Sequence, residues 1–160
     1  MKSLKALTLF AIIAATNAWA LTNCPEDNQK TYHNCFGVVT FANWGTYTGE
    51  FQNNQYDGQG NYNYTNGDNY VGQWQADVKD GYGIYTFANG DIYEGEYLNG
   101  LKHGQGSYFY THGDKHVGLY KNGVKHGFGT YTFVNGDQYI GDFRSNRFFG
   151  EGNYTFSSKE

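Results

Sequence analysis

Lysine, histidine and closely spaced glycines recur together in this chain. Lys102-His103-Gly104 and Lys125-His126-Gly127 read almost alike. Histidine beside lysine is a pairing that acid–base or metal chemistry uses. Asp68, Asp91, Asp114 and Asp137, each following a turn glycine, are the candidates for a hard cation such as calcium. Glycine pairs such as Gly104 and Gly106 invite a phosphate cradle. His112 and His116 lie close in sequence, but they flank a hairpin and have no cysteine or carboxylate cluster around them.

Repetition decides against these sites. If the repeats form a meander, equivalent residues sit two strands, or roughly 10 Å, apart. Histidines at that distance cannot share a zinc ion whose Zn–N bonds are ~2.0–2.1 Å, nor aspartates a calcium ion with Ca–O near 2.3–2.6 Å. The Lys-His-Gly segments then read as polar turns leading into strands, and the aspartates as turn chemistry. The glycine pairs lack both the strand-to-helix setting and the following lysine of a nucleotide loop. No unique nucleophile and base remain, so the expectation is no enzyme, no catalytic residue, no cofactor and no metal.

The elements that carry these residues repeat every 23 positions. Tyr47, Tyr70, Tyr93, His116 and Tyr139 form one ladder, and Phe51, Trp74, Tyr97, Tyr120 and Phe143 another. Tyr62, Tyr85, Tyr108, Tyr131 and Tyr154 make a third, and Tyr64, Phe87, Tyr110, Phe133 and Phe156 a fourth. Glycines keep the same step at Gly49, Gly72, Gly95, Gly118 and Gly141, and in the pairs from Gly58 and Gly60 to Gly150 and Gly152. Within a unit the spacing is two, so Tyr93, Gly95 and Tyr97 share one strand face while Glu94 and Glu96 take the other. Asn66-Gly67, Asn89-Gly90, His112-Gly113 and Asn135-Gly136 predict type I′ hairpins, and Asn99-Gly100 and Asn122-Gly123 turns at the opposite end. The expected fold is all-β: a single-layer antiparallel meander of about eleven strands, roughly 50 Å long at ~4.8 Å per strand. Every glycine of the frame is expected on the aromatic face, where rings lie across bare backbone.

Composition agrees. The 160 residues hold 23 glycines, 16 tyrosines and one proline, too aromatic for disorder and too poor in aliphatics for a two-layer core. Residues 1–20 form a secretory signal: Lys2 and Lys5, an apolar run from Ala6 to Ala15, then Ala18-Trp19-Ala20. The protein is therefore expected to be periplasmic or secreted, in a bacterial envelope, with an outer-membrane lipoprotein through Cys24 as the alternative. Cleavage removes two lysines and leaves a net charge of −6, which disfavours nucleic acid and anionic membrane as partners. Cys24 and Cys35, the only cysteines, are expected to pair in an oxidising compartment. Two Asn-x-Thr sequons, at Asn63 and Asn153, matter only in a glycosylating host.

The unit Tyr-x-Gly-x-aromatic, a turn, Lys-His-Gly-x-Gly-x-Tyr-x-aromatic and Asn-Gly-Asp resembles the MORN (membrane occupation and recognition nexus) repeat. Residues 93–115 and 116–138 match best. Residues 47–69, 70–92 and 139–156 keep the frame, with Asp57, Asp80 and Phe149 in place of the histidine. A half-repeat spans 35–46, a cap segment 21–34 and a tail 157–160. The resemblance implies an elongated, twisted sheet with a groove along one face, and a role in scaffolding, self-association or membrane lipid binding.

The expected role is a protein-interaction or structural scaffold module. The groove would be lined by the Tyr, Phe and Trp side chains of the four ladders from Tyr47 to Phe143. Carbohydrate or cell-wall binding through that groove is the first alternative, and lipid-headgroup binding the second. A homodimer is expected through the last repeat, where Phe148, Phe149, Tyr154 and Phe156 collect beside an unprotected edge strand.

Overall fold

The computed structural model describes residues 21–26 and 31–157, so the signal segment lies outside the described residues. Twelve strands follow one another: β1 (Thr22–Asn23), β2 (Cys35–Phe41), β3 (Gly45–Gln52), β4 (Gln55–Tyr64), β5 (Asn69–Gln75), β6 (Val78–Thr86), β7 (Ile92–Leu98), β8 (Leu101–Phe109), β9 (Lys115–Lys121), β10 (Val124–Thr132), β11 (Gln138–Arg144) and β12 (Arg147–Thr155). Their order in the sheet is their order in sequence. From β2 onward these are the eleven expected strands of an antiparallel meander. The addition is β1, which pairs with β2 in parallel, Thr22 opposite Cys35.

A single layer needs a core on one of its own faces, and glycine makes room for it. Tyr70 packs over Gly72 of its own strand and Gly83 of the next: a Cβ at Gly72 would lie 2.6 Å from the Tyr70 hydroxyl, and one at Gly83 2.5 Å from its ring. Tyr47, Tyr70, Tyr93 and His116 are completely buried in this way. Each tyrosine of the ladder finishes by donating its hydroxyl to a carbonyl three residues on, Tyr70 to Gln73 at 2.9 Å and Tyr93 to Glu96 at 3.0 Å. The second ladder meets it edge-on, as in Tyr93–Tyr97 (5.3 Å, 90°) and Tyr93–Tyr120 (5.0 Å, 81°).

Two local expectations need correction. The first glycine of each pair is not on the aromatic face. Gly58, Gly81 and Gly104 sit at β-bulges with positive φ, and a Cβ there would strike Glu50, Gln73 or Glu96 on the opposite face. The Asn-Gly-Asp turns are also not type I′. Gly67 has φ 93° but Asn66 is not left-handed, and the Gly67 N–H returns to the Tyr64 carbonyl (3.1 Å) while the Tyr64 N–H reaches Asp68 (3.0 Å). That is a three-residue loop closed by a left-handed glycine. The two-residue turns with both φ positive lie at the other end, at Asn53-Asn54, Ala76-Asp77, Asn99-Gly100, Asn122-Gly123 and Ser145-Asn146. Only two of those five are Asn-Gly.

The N-terminal segment closes over the first unit. Cys24 and Cys35 form a disulfide with Cα atoms 4.9 Å apart, and Tyr32 sets its ring edge-on against Phe51 at 5.2 Å. Tyr32 also exchanges two hydrogen bonds with the turn residue Asn54.

Candidate binding groove

The aromatic face divides into a floor and a rim. Tyr47, Phe51, Tyr62, Tyr70, Trp74, Tyr93, Tyr97, Tyr120, Tyr139 and Phe143 are buried. Ten of the residues expected to line the groove are therefore core, with little surface for a ligand to touch. The half-buried rows remain accessible: Tyr85, Tyr108 and Tyr131, then Tyr64, Phe87, Tyr110 and Phe133. Neighbours in these rows touch, as in Tyr64–Tyr85 (6.0 Å), Tyr85–Phe87 (4.6 Å) and Phe87–Tyr108 (5.7 Å).

Lysines complete this face, and the polar-turn reading of Lys102 and Lys125 does not hold. Lys102 pairs across the hairpin with Tyr97 and Lys79 with Trp74. Each ammonium lies among rings of the groove: Lys79 Nζ is 4.7 Å from the Tyr85 centroid and 5.6 Å from Tyr97, and Lys102 Nζ 4.8 Å from Tyr108 and 5.9 Å from Tyr120. Lys125 repeats the arrangement over Tyr131 (4.5 Å) and Tyr110 (5.2 Å). Burial pushes all three below the usual lysine range, Lys125 to about 8, with the neighbouring Lys102 charge adding to the effect. The signal was in the sequence: a two-residue turn at Asn99-Gly100 puts Leu98 opposite Leu101 and therefore Tyr97 opposite Lys102.

The turn aspartates tie consecutive repeats together. Asp91 accepts hydrogen bonds from the Thr111 N–H (2.9 Å), the Thr111 hydroxyl (3.1 Å) and the Tyr108 hydroxyl (2.9 Å) of the next unit. Asp68 does the same for Ala88 and Tyr85, and Asp114 for Val134 and Tyr131. The Tyr85 hydroxyl and the Ala88 and Asn66 donors hold the Asp68 carboxyl below its ordinary pKa. Burial pushes Asp91 and Asp114 up, but their donors outweigh it and both are lowered. Regular spacing placed these residues correctly at turns and missed the bonds to the following repeat.

The remaining polar candidates do not converge. His103 buries an unpartnered Nδ1, His126 is exposed, and His112 Nε2 sits 3.1 Å from Asp114. His116 turns its Nδ1 to the Tyr120 hydroxyl at 2.9 Å. Among the described residues no three His, Cys, Asp or Glu side chains are grouped to hold a metal ion. At the N-terminal end the groove opens into a cleft of about 520 Å³ lined by Tyr32, Val39, Phe41, Phe51, Asn54, Tyr56 and Asp77.

The expected dimer residues also separate. Phe148 faces the groove, stacked on Tyr139 at 4.0 Å, whereas Phe149 pairs with Asp142 on the other face and meets the Arg144 guanidinium at 5.3 Å. Tyr154 and Phe156 lie together at the turn end, 4.9 Å apart.

No curated protein matches the chain at a meaningful level of similarity. The MORN repeat model, by contrast, matches residues 47–69, 70–92, 93–115, 116–138 and 139–159, the first four with the boundaries read from the 23-residue period. With five in-register repeats over most of its length, the chain belongs to the MORN repeat family.

Proposed function

We propose that this chain is a non-enzymatic interaction module of the bacterial envelope, periplasmic or secreted, that holds a protein partner along its aromatic groove. The supporting observation is the continuous half-buried row Tyr64, Phe87, Tyr110 and Phe133 beside Tyr85, Tyr108 and Tyr131. Ring faces presented side by side suit apolar and extended chains. A neutral glycan is served less well, because the hydroxyls of Tyr85, Tyr108 and Tyr131 are committed to Asp68, Asp91 and Asp114. A flat anionic bilayer meets a chain of net negative charge whose groove lysines are half-buried or buried. A photo-crosslinking residue placed at Tyr64 or Tyr110 in the native host tests the reading. Protein adducts should form there and not from Ile84 on the opposite face. Equal yields from all three positions overturn it.

Self-association is the second reading, favoured by one observation. Among the described residues β12 is the outermost strand, paired only with β11, and every residue of it is exposed. An edge of this kind is a template for another strand. An antiparallel pairing of two β12 edges buries Phe148 and Tyr154 of both copies. Sedimentation equilibrium should give a dimer that Phe148→Ser weakens, and a wild-type monomer at high micromolar concentration removes the idea.

A further inference from the structure

Lys79, Lys102 and Lys125 occupy one structural position in three successive repeats. In the first and last repeats the same position holds Tyr56 and Phe148, whose rings stack on Tyr47 and Tyr139 at 3.7 and 4.0 Å. The slot therefore accepts an aromatic ring, and packing does not require a cation there. Yet three cations are kept, half-buried or buried, one repeat apart. None has a carboxylate of the described residues within 4.0 Å. The aspartates whose charges act on them, Asp68 on Lys79, Asp91 on Lys102 and Asp114 on Lys125, are bound to tyrosine hydroxyls and backbone N–H groups of the next repeat. Burying an ammonium without an ionic partner costs stability that the flanking rings only partly return. A row of such groups in a groove points to a ligand that brings the anions.

We propose that the groove takes an extended acidic peptide in polyproline II conformation, with an acidic side chain at every third residue, one each for Lys79, Lys102 and Lys125. The inference rests on the interaction-module reading above and adds the chemistry of the partner. Equivalent positions along the sheet are two strands, about 9.6 Å, apart. Three residues of polyproline II rise about 9.3 Å and bring the side chain back to the same face. The mismatch across three lysines is then only about 0.6 Å. Aromatic-lined grooves are also the surfaces on which polyproline II segments dock, since that conformation is already formed in the free chain. The sheet presents side chains here rather than a backbone edge, so recognition runs through rings and ammonium groups.

Titration calorimetry of the mature protein with a synthetic peptide repeating Glu-Pro-Pro tests this. Binding should weaken as salt rises and fall about tenfold in each of Lys79→Met, Lys102→Met and Lys125→Met, with Lys102→Arg retaining most of it. Methionine keeps the apolar stem, and thermal unfolding verifies that each variant folds. A peptide of the same length and the same number of glutamates, spaced two residues apart instead of three, should bind more weakly. Equal affinity for the two peptides, or an unchanged triple Met variant, overturns the proposal. So does tighter binding of a uronic-acid glycan or of vesicles containing anionic lipid. If Tyr64 and Tyr110 crosslink to a protein while Glu-Pro-Pro fails, the module reading survives and the acidic-peptide claim falls.

Discussion

His116 Nδ1 lies 2.9 Å from the Tyr120 hydroxyl, in the slot where the other four repeats place a tyrosine across two glycines. The imidazole is fully buried and its Nε2 has no partner. Burial, with the Lys125 charge behind it, lowers its pKa from 6.5 to about 4. A depressed base stays neutral in the folded state, so this stability is complete above pH ~6.5 and lost as pH falls toward ~4, on the order of 3 kcal/mol. His116→Tyr restores the ring, and its hydroxyl is positioned to reach the Leu119 carbonyl as Tyr93 reaches Glu96. Thermal unfolding should show the variant more stable by roughly 1–3 kcal/mol at pH 7, with a flatter profile between pH 6.5 and 4. An unchanged acid profile rejects the assignment.

Two glycines separate steric from conformational need. A Cβ at Gly95 would lie 2.5 Å from the Gly106 Cα and 2.6 Å from the Gln105 carbonyl oxygen, both backbone. At Gly123 nothing stands within 4 Å, but φ is +87°. Gly95→Ala should therefore cost at least ~2 kcal/mol in denaturant titration, because strand separation must change. Gly123→Ala should cost about 1 kcal/mol, the ordinary penalty of a left-handed alanine. Equal costs would mean that the ring bed is not what glycine protects.

Much of this was legible because a two-residue alternation nested in a 23-residue period leaves little freedom. Tyr70, Gly72 and Trp74 could only share a face, and meander order followed from short connections. What escaped depends on bulges and on side-chain reach. The bulges at Gly58, Gly81 and Gly104 turn one glycine of each pair away from the rings, which an unbroken alternation cannot show. The aspartate bonds run 17 and 20 residues forward, as from Asp91 to Tyr108 and Thr111, and only the stacked turns bring those partners together. Lys102 and Lys125 sit in Lys-His-Gly segments that resemble polar turns, and Lys79 precedes Asp80 in place of a histidine, so composition alone does not align the three.

Those aspartate bonds carry a prediction of their own. Asp91→Ala leaves the Thr111 N–H and the Tyr108 hydroxyl without their acceptor, a loss of roughly 2–3 kcal/mol. Asp91→Asn keeps one carbonyl acceptor and should recover part of it. Because the folded carboxyl has a lowered pKa, its contribution is present above the unfolded value near 3.9 and disappears as pH falls below it. Amide exchange in Asp91→Ala should rise first at the Thr111 turn. Uniform acceleration over all repeats would contradict a local link.

Reduction of the Cys24–Cys35 disulfide gives the last test. The bond closes a short loop, worth ~3 kcal/mol on the chain-entropy model. It also pins β1 against β2 and holds Tyr32 on Phe51 and Asn54. Stability in repeat arrays is a sum of unit and nearest-neighbour terms, so the loss should stay near the bond. Cys24→Ser/Cys35→Ser should raise amide exchange in β2 and β3 while β8 to β11 keep their protection, and the melting transition should broaden at its low-temperature side. Intact mass of the wild-type protein from the envelope should show a chain starting at Leu21 with both thiols oxidised. Two alkylatable thiols, or a lipid on Cys24, would put the cap outside the disulfide-bonded state described here. Equal loss of protection in all five repeats would show that the array unfolds as one unit and that the cap anchors all of it.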